Sequence, residues 1–229
     1  SHTHFSALSI FEWDFQAGGA ALSLKTNSDT LSIDIGIEAN EFNNNYRAIE
    51  LSQMKSPFIS GNNLTDFTNI GLQASGIFDK YQIKKNKIFS SEHNPTGIAL
   101  YSSSGGETQP QRGLVANNLI KIAANSSGTG ITFGASNTDL VYNSIWVNKG
   151  KAFYSYNLGA SNLVKNNIFQ CNDGYSIDIA TGNETTTFDY NDYFTQGIDF
   201  VKWDGTLYFS LFELQTETGT NANSFNLKP

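Results

Sequence analysis

Cysteine is all but missing from this chain: Cys171 stands alone, so no intrachain disulfide can form and stability must come from core packing and backbone hydrogen bonds. A thiol without a partner reads as a small buried core residue. Proline is rare, with four in 229 residues, and charged residues make up only 15%. What charge there is leans negative, formally -7, and no Lys/Arg run occurs anywhere. That balance excludes nucleic acid, whose phosphates call for a clustered basic face. No apolar stretch approaches the ~18 residues of a bilayer span, which excludes membrane insertion by a helix. There is no phosphate loop, no zinc-ligand spacing and no Ser-His-Asp arrangement. The chain opens Ser1-His2-Thr3-His4 without an initiator Met or a leader pattern. Its compartment is therefore expected from the fold alone.

What is abundant is Asn, Ser, Thr and Gly, a composition that suits stacked strands and turns better than helices. Seven segments share the pattern apolar-x-x-Asn-x-apolar, centred on Asn40, Asn62, Asn86, Asn117, Asn143, Asn166 and Asn191. The first runs Ile37 to Asn40 to Phe42, the fourth Leu114 to Asn117 to Leu119, the sixth Leu163 to Asn166 to Ile168. The centres fall about two dozen residues apart, the period of a repeat architecture. Each is followed by a second short apolar alternation such as Ile49/Leu51, Ile98/Leu100 or Tyr154/Tyr156. Every repeat thus holds at least two period-2 strands.

A unit so small cannot bury its own apolar face and must stack on its neighbours. Strands in such a stack lie ~4.8 Å apart, so equivalent asparagines form a column whose amides bond to each other and to the backbone. The expected fold is an all-β, right-handed parallel β-helix of about seven coils with an asparagine ladder. It divides into an N-terminal cap or incomplete first coil over 1–32, repeats over 33–202 and a C-terminal cap over 203–229. Phe11, Trp13, Phe15, Leu22 and Leu24 would build the opening coil. Ser210 is placed to cap a short helix carrying Leu211, Phe212 and Leu214, and Gly219 to end it.

The segments LVKNNIF, LVANNLI, FDYNDYF and GITFGASN resemble the repeats of right-handed parallel β-helix, pectate-lyase-like proteins, over roughly Ile33 to Lys202. The stretch from Phe188 to Ser224 resembles the closing module of secreted β-helix proteins from polysaccharide-degrading bacteria. The resemblance implies a secreted or cell-surface chain, part of a larger one, that faces polysaccharide or cell-surface glycan. It implies catalytic groups on the outer side of one parallel sheet. The superfamily spans lyases, hydrolases, epimerases, adhesins and phage tail proteins, so the resemblance specifies the fold more closely than an activity.

Alternation along the second strand of each repeat, with Ile and Leu inward, turns out Glu50, Gly71, Ala99, Thr132, Ser155, Asp178 and Asp199. Asp178 and Asp199 then fall at matching positions of consecutive coils, close enough to share a cation, with Asp173 as a third oxygen ligand. Calcium is the cofactor these three would hold. Asp178, Asp199 and Lys151 are the candidate catalytic groups, although neither a lyase nor a hydrolase set is complete. Tyr101, Arg112, His93 and Phe153 are the candidate substrate-binding residues, drawn from the long loops of one repeat and from aromatic faces on which sugars stack. Trp146 and Trp203 are further aromatic candidates. Three functions are open at this point: a β-helix that binds or presents to polysaccharide without complete catalytic machinery, a lyase or hydrolase acting on an acidic glycan, and a structural spacer or adhesin module.

Overall fold

The computed structural model describes residues 2–6, 9–11, 19–25, 34–182 and 185–228. Trp13 and Phe15, expected in the opening coil, lie outside them. The chain winds as a right-handed parallel β-helix with three faces per coil. The first face is an eight-stranded parallel sheet that starts with His2–Ser6 and Asp34–Glu38 and ends with Leu163–Lys165 and Thr187–Asp189. The second and third faces run beside it and are joined at their C-terminal end. There Ser144–Ser155 and Ile168–Ile179 pass from one face to the other as single twelve-residue strands.

The registers stack equivalent residues as a solenoid requires. Ile37, Ile59, Ile83, Val115, Leu140, Val164 and Phe188 form one inward column on the first face, all essentially buried. Phe42, Leu64, Ile88, Ile120, Ile145, Phe169 and Tyr193 form another on the second. Ile49, Leu72, Ile98, Ile131, Phe153, Ile177 and Val201 complete the core on the third. No coil could bury these side chains alone, so each coil is stable only through its neighbours. The opening coil is more regular than expected: His2–Ser6, Ser9–Phe11 and Ala20–Lys25 each add one strand to one face.

The asparagine ladder exists, with a correction at two rungs. Its members are Asn40, Asn62, Asn86, Asn118, Asn143, Asn167 and Asn191. Asn117 and Asn166, picked from the sequence, are the preceding residues and take left-handed turns at φ 56° and 57°. From Asn62 to Asn167 each ladder amide donates to the next Oδ1 and to a carbonyl of the coil behind: Asn143 Nδ2 lies 3.0 Å from Asn167 Oδ1 and 2.9 Å from the Val115 carbonyl. Its own Oδ1 accepts from the backbone and the amide of Asn118 at 3.0 and 2.9 Å. A shorter polar column, which the repeat pattern does not reveal, runs where the third face turns into the first. There the Thr138 N–H donates to Asn162 Oδ1 and the Asn162 N–H to Thr186 Oγ1.

At the C-terminal end, Val201–Trp203 turns back antiparallel into Thr206–Tyr208. The helix Leu211–Thr218 follows, with the Ser210 side chain accepting from the Glu213 N–H and Gly219 left-handed at its end. Leu211 and Leu214 are buried against the core, whereas Phe212 faces solvent. The ladder ends on this tail, where Ser224 Oγ accepts from the Asn191 N–H at 3.1 Å.

Candidate functional site

A surface groove of about 860 Å³ opens over the third face. Thr132 and Tyr154, two members of the outward row of that sheet, line its floor. The registers define this row as Glu50, Gln73, Ala99, Thr132, Tyr154, Asp178 and Lys202. Three members differ from the sequence expectation: Gln73 replaces Gly71, Tyr154 replaces Ser155, and Lys202 replaces Asp199. Ser155 points inward and is fully buried. Thr132 is small, which leaves room above the middle of the sheet, and Tyr154 bounds that space.

The walls come from the residues that leave the sheet. Between Leu100 and Ser103 the register slips, so Tyr101 and Ser102 together stand opposite Gly134. Such a bulge re-aims side chains beside a site. Tyr101 is partly exposed and Tyr156 is largely exposed. Both border the groove, with Gly134 between them in the stack. Two coils separate the tyrosines, about 10 Å at the strand spacing of a parallel sheet. Ser102, Ser103, Ser104, Ser127, Thr129 and Thr132 surround them with hydroxyls. Burial pushes the Tyr101 phenol above its ordinary value, partly offset by the positive charge of Arg47.

Lys151 enters the groove from the start of its strand segment. Its ammonium lies 2.7 Å from Asp178 Oδ2 and 4.1 Å above the Tyr154 ring centre. Asp178 is nearly buried, its side chain 8% exposed, and this pairing accounts for its charge.

The expected aspartate cluster does not form. Asp178 pairs across the sheet with Tyr154 and Lys202, and Asp199 lies before the strand Val201–Trp203. The Asp199 carboxylate instead meets the Tyr175 phenol, whose pKa is raised by burial first and by the charges of Asp199 and Asp178 next. Asp173 is exposed at the corner between the second and third faces and binds Lys149 at 2.8 Å, which raises the lysine pKa. Among the described residues no three His, Cys, Asp or Glu side chains gather into a cation site.

The other candidates separate as well. Phe153 is a core residue, fully buried and packed 5.6 Å from Phe133 and Phe169. Its neighbour Tyr154 holds the outward place. Arg112 braces the first face, with Nε 2.7 Å from Asp139 Oδ1 and a second nitrogen 2.7 Å from the Ser161 carbonyl. His93 is exposed on the loop between the second and third faces and does not line the groove. Trp146 lies on the second face beneath Lys121, and Trp203 packs edge-on against Phe188 at 4.8 Å. Of the seven residues proposed for catalysis or substrate binding, Tyr101 and Lys151 border the groove.

No protein family matches the sequence, and no curated protein does. Among solved structures, the chain is similar to a mutant of DFA-IIIase from Arthrobacter chlorophenolicus A6 in complex with DFA-III. Identity there is 12% and the TM-score 0.44, over 96% of this chain and 57% of that one. It is similar also to DFA-IIIase from the same organism in complex with GF2, at 10% identity and TM-score 0.36 over 98% and 58% of the two chains. This chain spans less than two thirds of either structure.

Proposed function

We propose that this β-helix binds polysaccharide along its third face, with the glycan seated in the groove between Tyr101 and Tyr156 and no bond broken. The reading rests on the tyrosine pair. Two exposed aromatic side chains stand two coils apart beside the third face, Tyr101 in its bulge and Tyr156 just past the strand that ends at Ser155, with Gly134 between them. Sugar rings offer flat C–H faces to aromatic rings and hydroxyls at their edges. The serines and threonines around the tyrosines supply partners for those hydroxyls. A chain laid along the solenoid axis would meet both rings.

Binding without turnover is favoured by how the charged groups are occupied. A general acid or base must reach the proton it moves. Here Lys151 and Asp178 hold each other, Asp173 holds Lys149, and Asp199 meets Tyr175. Affinity electrophoresis through gels cast with a panel of polysaccharides tests the reading. At least one glycan should retard the protein. Tyr156→Ala should weaken that retention about tenfold, the size of an aromatic contact at the centre of a binding site. Neither new reducing ends nor unsaturated products should accumulate. Products lost in Asp178→Ala would establish the lyase or hydrolase reading, and retention by no glycan would end the binding reading.

A further inference from the structure

We infer that the groove selects uncharged glycans, and that Asp178 imposes the selection by neutralising the one cation that faces the ligand. The inference rests on the binding reading above and narrows it to a ligand class. Among the described residues that line the groove, Lys151 alone is charged. An exposed lysine beside tyrosines would ordinarily attract a uronate or a sulfated sugar. This lysine is already taken, its ammonium 2.7 Å from a carboxylate whose side chain is 8% exposed.

An anionic sugar could reach a remaining Lys151 donor only beside the Asp178 carboxylate that already balances the ammonium, and to take that positive charge for itself it would have to displace a nearly buried carboxylate. Breaking one side of a buried pair costs far more than exchanging partners at a surface. The sugar carboxylate would also approach a chain of formal charge -7. A neutral sugar meets neither obstacle. It can accept a hydrogen bond from the Lys151 ammonium while the ion pair stays intact, because an ammonium has three donors. The other lining groups are hydroxyls, an amide, backbone and aromatic rings, which recognise sugar hydroxyls and ring faces without regard to charge.

The test compares retention on neutral gels, a mannan and a mixed-linkage glucan, with acidic gels, a polygalacturonate and an alginate, at low and high salt. The wild-type protein should prefer the neutral set by at least about tenfold, one charge contact's worth of affinity. Asp178→Asn keeps the shape and frees the lysine. It should shift the acidic-to-neutral ratio toward acid by about tenfold at low salt, and high salt should erase the shift. A double variant, Asp178→Asn with Lys151→Gln, should return the ratio to the wild-type value, which attributes the change to the lysine rather than to disturbed folding. Wild-type protein that prefers acidic glycans overturns the inference and leaves the binding reading in place. So does a ratio unmoved by Asp178→Asn, or a double variant that keeps the acidic preference. Retention by no gel overturns both.

Discussion

Asn117 and Asn118 differ by one position and by everything that matters physically. Asn118 is buried, donates to the Ile83 carbonyl at 3.0 Å and accepts the Asn86 N–H at 3.0 Å. Asn117 is exposed in a left-handed turn. Asn118→Ala should orphan at least two buried backbone groups and cost about 2–6 kcal/mol in chemical denaturation, at ~1–3 kcal/mol for each. Asn117→Gly should stay within about 0.5 kcal/mol of wild type, since glycine accepts a positive φ freely. Equal losses for the two would contradict this ladder. The sequence cannot separate them, because Leu114/Leu119 around Asn117 and Val115/Ile120 around Asn118 satisfy the same pattern. The doublet Asn166-Asn167 repeats the ambiguity. Burial decides it: Val115 and Ile120 are fully buried, while Leu119 is half exposed. The same one-residue slip moved Phe153 to the surface in the sequence reading and hid Tyr154. A regular distance from the ladder would have corrected it, because Tyr154, Asp178 and Lys202 stand equally far along the chain from Asn143, Asn167 and Asn191. Phe153→Ala should therefore cost about 3–5 kcal/mol as a core cavity. Tyr154→Ala should change unfolding by less than about 1 kcal/mol while weakening retention on glycan gels.

The two long strands pose a problem that belongs to the element rather than to any one residue. Ser144–Ser155 and Ile168–Ile179 keep their hydrogen bonding while turning a corner between faces, and the turn is made at Gly150 and Gly174. Their φ values are 123° and 132°, a region closed to side chains. They stack closely: a Cβ on Gly174 would sit 2.2 Å from the Gly150 carbonyl oxygen, and one on Gly150 would sit 2.1 Å from that of Gly128. Gly150→Ala should lower stability by roughly 2–4 kcal/mol, because backbone strain and backbone overlap add. A melting temperature within a degree of wild type would show that the corner relaxes without cost. Sequence patterning located both halves of these strands and missed their continuity, since a glycine between two apolar alternations usually marks a loop. The capping helix was more legible, because Ser210 and Gly219 are local signals that bracket Leu211 and Leu214. The aspartate cluster failed for the opposite reason. It needed the last coil to keep the spacing of its predecessors, and the alternation chosen there, Ile198/Phe200, is not the one that enters the sheet. Ile198 is exposed and Val201 is the inward residue.

At the scale of the molecule, three columns of apolar side chains and the asparagine ladder were set by a repeat that the sequence displays openly, whereas the groove depends on where each coil departs from that repeat. The interior so formed buries several ionisable groups, and this gives the whole fold a dependence on alkaline pH. Burial is the main cause that raises the Cys171 thiol from 9.0 to about 12, with the hydrogen bonds it receives and makes at the corner only partly offsetting it. Burial likewise raises the phenols of Tyr81, which is hydrogen-bonded to Thr138, and of Tyr193 at the end of the ladder. The folded chain keeps these protons where the unfolded chain loses them. Between pH 9.0 and about 12 the unfolded state therefore binds fewer protons at Cys171, and stability falls as pH rises. Each such group contributes a slope of about 1.4 kcal/mol per pH unit once the pH exceeds its unfolded value, and the tyrosines join from about pH 10. These three groups contribute no slope below pH 8. Thermal melts from pH 8 to 10.5 should show a melting temperature that is level at first and then declines. In Cys171→Ala the decline should begin about one pH unit later, because only the phenols remain. Melting that holds steady to pH 10.5 would mean that these groups titrate in the folded state as they do in water, and that the interior between the three faces is open to solvent.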